Sequence, residues 1–376
     1  MKKYLLITTL TLCLALVTFI LLPPQIPISP LGNPSQFAQY SDRSKFLIIG
    51  FAPYWNMKKL SSESLDTITH FAYFALHLRG TGEIYTKVNS REEDPGYTNY
   101  KRLLKSEGYK NLILTYMQED EEALVVMLNT QSSRHNAINN ILKTLSESRG
   151  VGVNIDFEPV GLINASLRDN FTLFIQELSQ SLSKEDKLLT ISIYPSAAAR
   201  ERLWDLNALA PLTDYFVVMT YDYTMPKSER AGPNSPLRDF SGDFEHSIIK
   251  NLGELTEHIP AKKILLGIPL YGYQWDTVDT SRYSDTTSRG VTASLERIET
   301  MLNEQVMELV WDRNSLTPYA VSTGSGSHSQ IYFENEASIR LKIELVQSSG
   351  LGGIALWALG YDNNVPWLWP TINSLR

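Results

Sequence analysis

Three polar side chains alternate with apolar ones in the stretch "VGVNIDFEPV", residues 151–160: Asn154, Asp156 and Glu158. In an extended chain alternate residues face the same way, so these three share one face and Val151, Val153, Ile155 and Phe157 share the other. Successive positions on one face lie about 6.5–7 Å apart, which lets Asp156 and Glu158 interact directly. The second of two close carboxylates holds its proton longer, and a glutamic acid still protonated near neutral pH is a general acid able to protonate a glycosidic oxygen. A single acidic residue at a strand end is more often a polar group satisfied by its neighbours, and structural pairs also perturb pKa values. A run of three at period two inside a buried strand is harder to dismiss, because each buried charge is costly.

The surrounding elements must place that face. From Phe46 onward, short apolar runs at 46–53, 67–76, 111–117, 151–158, 188–194, 215–221, 263–272 and 352–359 read as strands. Helical periodicity at 98–107, 133–148, 165–184, 200–210, 243–258 and 336–349 separates most of them. Alternating β and α units predict a parallel sheet, and eight of them predict a (β/α)8 TIM barrel, with a doubly wound sheet as the competing architecture. In the barrel, 151–158 is the fourth strand. Gly152, Asn154, Asp156 and Glu158 then point inward, and Glu158, the last residue before Pro159, stands at the C-terminal mouth where catalytic groups gather. The same period aims Met219 and Tyr221 inward and puts Gly353, Ala355 and Trp357 on one face, the large ring at the mouth. The connection from 273 to 334 is too long for a structureless loop, which predicts a small α+β insertion, about 274–334, before the last strand.

The composition, 43% apolar and 20% charged, is that of a folded globular chain, and a net charge of −7 argues against nucleic acid as a partner. The six histidines lack ligand spacing and Cys13 is the only cysteine, so no metal site is expected. Neither a phosphate loop nor a nucleophile elbow is present, and no cofactor is expected. Lys2 and Lys3 precede an uncharged run, residues 4–22, long enough to span a bilayer with the N-terminus cytoplasmic. Residues 1–22 therefore read as a signal anchor or a signal peptide, the length favouring the uncleaved anchor. Residues 23–44, rich in Pro, Ser, Gly and Asn, read as a flexible tether, and 45–376 as the barrel. The barrel is then extracytoplasmic, membrane-anchored or secreted after cleavage, and monomeric.

The segment "GVNIDFE" resembles the fourth-strand signature D-x-x-D-x-D-x-E of glycoside hydrolase family 18, the chitinase-like enzymes. "MTYD" (219–222), "LLGIPLYGY" (265–273) and "GGIALWALGYD" (352–362) resemble its sixth, seventh and eighth strands, and "TPYAV" (317–321) and "IYFEN" (331–335) its insertion. The resemblance, from about Phe46 to Arg376, implies a retaining, substrate-assisted glycosidase acting on polymers containing N-acetylglucosamine, either chitin oligomers or peptidoglycan. It implies Glu158 as general acid and base, Asp156 supporting the substrate's N-acetyl group, Tyr221 bonding that group with Asp222 nearby, and Trp357 as the apolar floor. Tyr271, Tyr54, Trp55 and Trp275 are secondary candidates for sugar contact. The sequence departs from the signature at Val151 and Asn154. An amide at 154 is expected to hydrogen-bond Asp156 without passing a proton, leaving Asp156 ionised and shifting the acid limb of the pH profile. The third strand ends "TYMQED" where true chitinases commonly carry S-x-G-G, which resembles the bacterial branch of spore-cortex and germination glucosaminidases. A non-catalytic carbohydrate-binding relative is the alternative; such proteins commonly lose the acid that this chain retains as Glu158.

Overall fold

The structure is a computed structural model that describes residues 46–375 apart from 107–108, 162, 201, 240–246 and 325. The signal anchor or signal peptide at 1–22 and the tether at 23–44 lie outside the described residues. No helix among the described residues is long and apolar enough to cross a membrane.

Seven strands come first: β1 (Leu47–Pro53), β2 (His70–His77), β3 (Leu112–Gln118), β4 (Gly152–Phe157), β5 (Leu188–Ile193), β6 (Tyr215–Val218) and β7 (Ile264–Pro269). Then follow β8 (Tyr271–Thr277), β9 (Val291–Ser294), β10 (Met307–Asp312), β11 (Thr317–Ser322), β12 (His328–Tyr332) and β13 (Gly353–Trp357). Strands β1 to β7 and β13 close into a barrel in which β13 pairs with both β1 and β7. Every neighbouring pair in it is parallel. The architecture is the (β/α)8 barrel expected from the alternation, and the doubly wound alternative is excluded by closure. The α+β insertion is a five-stranded antiparallel sheet, ordered β10-β11-β12-β8-β9, with a helix at Leu295–Asn303.

Period-two alternation separates two apolar layers. Outward residues of β4, Val153, Ile155 and Phe157, belong to the large core between barrel and helices. Phe157 stacks on Phe174 at 5.7 Å and meets Phe171 edge-on at 5.9 Å, both from the helix Ala165–Ser183. Inside the barrel, Ile49, Ala72, Ile113, Val217, Leu265 and Ala355 form a separate cluster. Gly353 sits at φ 150°, where a Cβ would strike the Leu47 carbonyl oxygen, so only glycine fits the base of β13.

Several boundaries differ from the sequence reading. Strand β7 stops at Pro269, and Tyr271 opens β8, so the insertion begins three residues before 274 and Tyr271 is not the end of a barrel strand. Val151, expected to point outward, lies in a bend before β4 and packs against the interior cluster, because the strand's alternation starts only at Gly152. The helix Glu121–Asn129 was not anticipated, since its apolar residues Leu124–Leu128 run consecutively and show no helical period; Asp120 caps it by accepting from the Ala123 N–H. The helix expected over 200–210 shrinks to Leu206–Leu209, because Leu203 and Trp204 are buried and Asp205 supplies the cap.

Candidate active site

A cleft of about 970 Å³ opens at the C-terminal ends of the barrel strands. Asp156 and Glu158 lie in its wall with Ser192, Tyr194, Met219, Tyr221 and Asp222, and Trp357, Phe51, Phe74 and Trp55 supply an apolar side. Glu158 follows the last residue of β4, and its backbone N–H donates to the Gln118 carbonyl at the end of β3 (3.0 Å), which fixes where the chain leaves the barrel.

Beneath the carboxylates is a polar layer. Asn154 is fully buried; its Nδ2 donates to Ser192 Oγ (2.9 Å) and its Oδ1 accepts from Thr190 Oγ1 (2.8 Å). The expected bond from Asn154 to Asp156 is not formed. Ser192 stands between them, because β5 brings Thr190 and Ser192 beside β4, with Asn154 paired to Thr190. Asp156 is 3% exposed and its Oδ1 has no hydrogen-bond partner. Burial, reinforced by the charge of Glu158, holds the Asp156 carboxyl well above its ordinary range, and the neighbouring Ser192 hydroxyl opposes this. The expectation of an ionised Asp156 left out this burial: an amide at 154 removes a neighbouring charge and leaves the desolvation of Asp156 in place.

Burial pushes Glu158 up to about 7; a hydrogen bond from Tyr194 works against the rise, and the charges of Asp222 and Glu119 add to it. Asp156 and Glu158 therefore titrate as a pair, with a proton retained between them to near neutrality.

Asp222 follows Tyr221 in the left-handed region, φ 61°. Its N–H donates to Asn234 Oδ1 (2.8 Å), while Tyr271 and Tyr273 (2.8 Å) donate their hydroxyls to Oδ1 of its carboxylate. The insertion thus reaches back and holds a barrel carboxylate by its first strand. Burial still raises Asp222, against those two hydroxyls.

The structure brings Glu158, Asp156, Tyr221, Met219, Asp222, Trp357 and Trp55 to one cleft. Trp357 packs edge-on against Phe74 at 4.5 Å and tilts over Phe51 at 6.1 Å. Trp55, 49% exposed, stands at the rim. Four other candidates lie elsewhere. Asn154 is under the floor, Tyr271 is behind Asp222, and Tyr54 packs edge-on beneath Trp55 at 4.8 Å. Trp275 is wholly buried in the insertion with its Nε1 donating to the Pro226 carbonyl (3.2 Å). Sequence reasoning missed Ser192, Tyr194, Asn234 and Tyr273. For Ser192 the signal was available, since period two on the fifth strand puts Thr190, Ser192 and Tyr194 on one face.

The sequence model of the glycosyl hydrolases family 18 matches residues 43–362. The chain is 28% identical over 257 residues to the putative sporulation-specific glycosylase YdhD of Bacillus subtilis (strain 168), covering 66% of this chain and 57% of that protein. It is 23% identical over 325 residues to the cortical fragment-lytic enzyme of the same organism, covering 83% of this chain and 69% of that one. In fold it resembles a chitinase of the family from Cycas revoluta, crystallised in complex with (GlcNAc)3. The TM-score is 0.74 at 18% identity, over 88% of this chain and 99% of that one. The match runs from β1 past the end of β13 and takes in the strand that carries Asp156 and leads into Glu158, and the chain belongs to the glycosyl hydrolases family 18.

Proposed function

We propose that this chain is a retaining glycosidase that hydrolyses β-1,4 linkages of polymers containing N-acetylglucosamine, with the substrate's own acetamido oxygen as nucleophile. The observation that carries this reading is Glu158 at the cleft wall, held protonated to about 7, beside a buried Asp156 with an unpartnered carboxylate oxygen.

In the first step Glu158 gives its proton to the glycosidic oxygen as the bond to the anomeric carbon breaks, and the acetamido carbonyl oxygen closes on that carbon from the opposite face. Positive charge spreads over the resulting oxazolinium ring, and Asp156 Oδ1 accepts the ring N–H. Tyr221 donates its hydroxyl to the acetamido oxygen, and Trp357 lies under the apolar face of the sugar. In the second step Glu158, now a carboxylate, takes a proton from water as the water oxygen attacks the anomeric carbon and reopens the ring. Two inversions give net retention. A carboxylate with a pKa near the working pH suits both tasks.

The names of the curated relatives, a sporulation-specific glycosylase and a cortical fragment-lytic enzyme, support a bacterial cell-wall glycan over chitin as substrate. The apolar segment at 4–22 supports an exported barrel, anchored or released. The test is incubation of the chain and its Glu158→Gln variant with chitooligosaccharides and with purified peptidoglycan, with products read by mass spectrometry. Fragments ending in reducing N-acetylglucosamine are expected from the unsubstituted chain alone. Equal binding of both polymers by both proteins, with no cleavage, would identify a non-catalytic sugar-binding member of the family.

A further inference from the structure

A second, smaller pocket of about 330 Å³ adjoins the cleft and shares Arg200 and Arg202 with it. Its walls also carry Arg168, Trp204 and His258. Arg202 lies over the ring of Tyr194, 4.9 Å from its centroid, and Tyr194 in turn bonds Glu158, so the pocket begins one side chain from the acid. Two buried donors here have no acceptor among the described residues: Arg202 Nε and Trp204 Nε1. Trp204 is 4% exposed and meets Tyr194 edge-on at 5.2 Å. Among the described lining residues the acidic side chain, Asp205, is engaged in capping the Ala208 N–H (3.1 Å), Arg168 Nε donates to the Arg202 carbonyl (3.0 Å), and His258 Nδ1 faces Asn207 Oδ1 (3.1 Å). A chain of net charge −7 thus gathers three arginines beside its cleft and, among the described residues, leaves two buried donors unpaired, an arrangement that asks for an anionic acceptor with two oxygens.

We propose that this pocket is a carboxylate subsite. It takes an acidic substituent from an amino-sugar polymer whose backbone occupies the cleft, with Arg202 Nε and Trp204 Nε1 donating to the carboxylate and Arg200 closing over it. The proposal rests on the glycan-cleft reading above and narrows it to acidic glycans, against neutral chitin. The carboxylate comes either from an ether-linked acid on the sugar or from a peptide attached to it.

The test is equilibrium binding by calorimetry, with the full Glu158→Gln chain in mild detergent, so that hydrolysis plays no part. The probes are peptide-free glycan fragments with free carboxylates, peptide-bearing fragments, and each of these with its acids capped as methylamides. The free acid is expected to bind about tenfold more tightly than the capped form, the scale of a charge-assisted hydrogen-bond pair. That ratio is expected to fall toward one when Trp204→Phe, which keeps a ring in place, or Arg202→Gln is added. A preference shown by peptide-free fragments assigns the carboxylate to the sugar, and one shown only by peptide-bearing fragments assigns it to the peptide. Equal affinity for free and capped acids in both kinds of fragment would overturn the proposal and give the two donors to bound water. A preference that survives both substitutions in folded protein would overturn it equally. Cleavage by the unsubstituted chain tests the hydrolase reading separately.

Discussion

Replacing Glu158 by Gln removes the proposed acid, and the same substitution makes a prediction about stability that is independent of substrate. Burial raises the Glu158 carboxyl from an ordinary 4.5 to about 7. A group raised in the folded state contributes its stability fully below the unfolded value and loses it as pH climbs through the folded one. At ~1.36 kcal/mol per pKa unit, the unsubstituted protein loses about 3 kcal/mol between pH 4.5 and pH 7 from this residue, while the amide loses nothing. The carboxylate faces Asp156, whose own elevation includes the Glu158 charge, so the variant relieves that part as well. With an unfolding entropy of ~2.1 cal/mol/K per residue over about 330 residues, 3 kcal/mol corresponds to about 4 °C. Melting of both proteins by differential scanning calorimetry from pH 4 to pH 9 is the assay. The variant's advantage is expected to grow from pH 4.5, reach about 4 °C and flatten above pH 8. An offset that stays constant across the whole range would refute the claim that Glu158 carries a desolvated, elevated carboxyl.

Three further outcomes are expected. Asp222→Asn removes one of the charges that raise Glu158, so the alkaline limb of the pH–rate profile moves to lower pH, measured as kcat/KM on a soluble oligosaccharide. Ser192→Ala takes away the hydroxyl that opposes the elevation of Asp156 and accepts from Asn154, so the apparent pKa values of the pair rise and the acid limb shifts upward. Just past β12, Lys342 Nζ and Glu334 Oε1 form a fully buried ion pair at 2.6 Å. Lys342→Met strands the carboxylate and is expected to cost about 3–5 kcal/mol in denaturant unfolding at pH 7, whereas replacing both partners by apolar residues costs far less.

The barrel was legible because its strands are buried on both faces and its helices on one, which writes two different periods into the sequence. The inward face of β4 followed from the same rule and put Asp156 and Glu158 where they are. What escaped was contact across strands and loops. Asn154 pairs sideways with Thr190 and Ser192 on β5, and no periodicity within β4 specifies which neighbour an amide selects. Tyr271 looked like the end of a barrel strand because "LLGIPLYGY" is continuously apolar or aromatic, yet Pro269 lacks the N–H that would extend the ladder, and the chain turns into the insertion there. Asn234, which sets the backbone of Asp222, lies in a loop whose sequence carries no period at all.

The pairing of β8 with β12 has a consequence for how this chain tolerates change. These are the first and last strands of the insertion, and they run antiparallel from Tyr273 opposite Tyr332 to Thr277 opposite His328. The excursion therefore leaves and rejoins the barrel through a two-stranded stem, which β9 extends on the β8 side and β11 on the β12 side. Closing a longer or shorter segment on a preformed stem adds only about 0.6 kcal/mol per doubling of length. The parts of the stem nearest the barrel, Tyr271 and Tyr273, are the ones that grip Asp222. The exposed turn between β11 and β12, where a Cβ added at Gly324 or Gly326 would meet nothing within 4 Å, is thus a natural graft site, at which foreign loops can be inserted while the carboxylate constellation keeps its geometry.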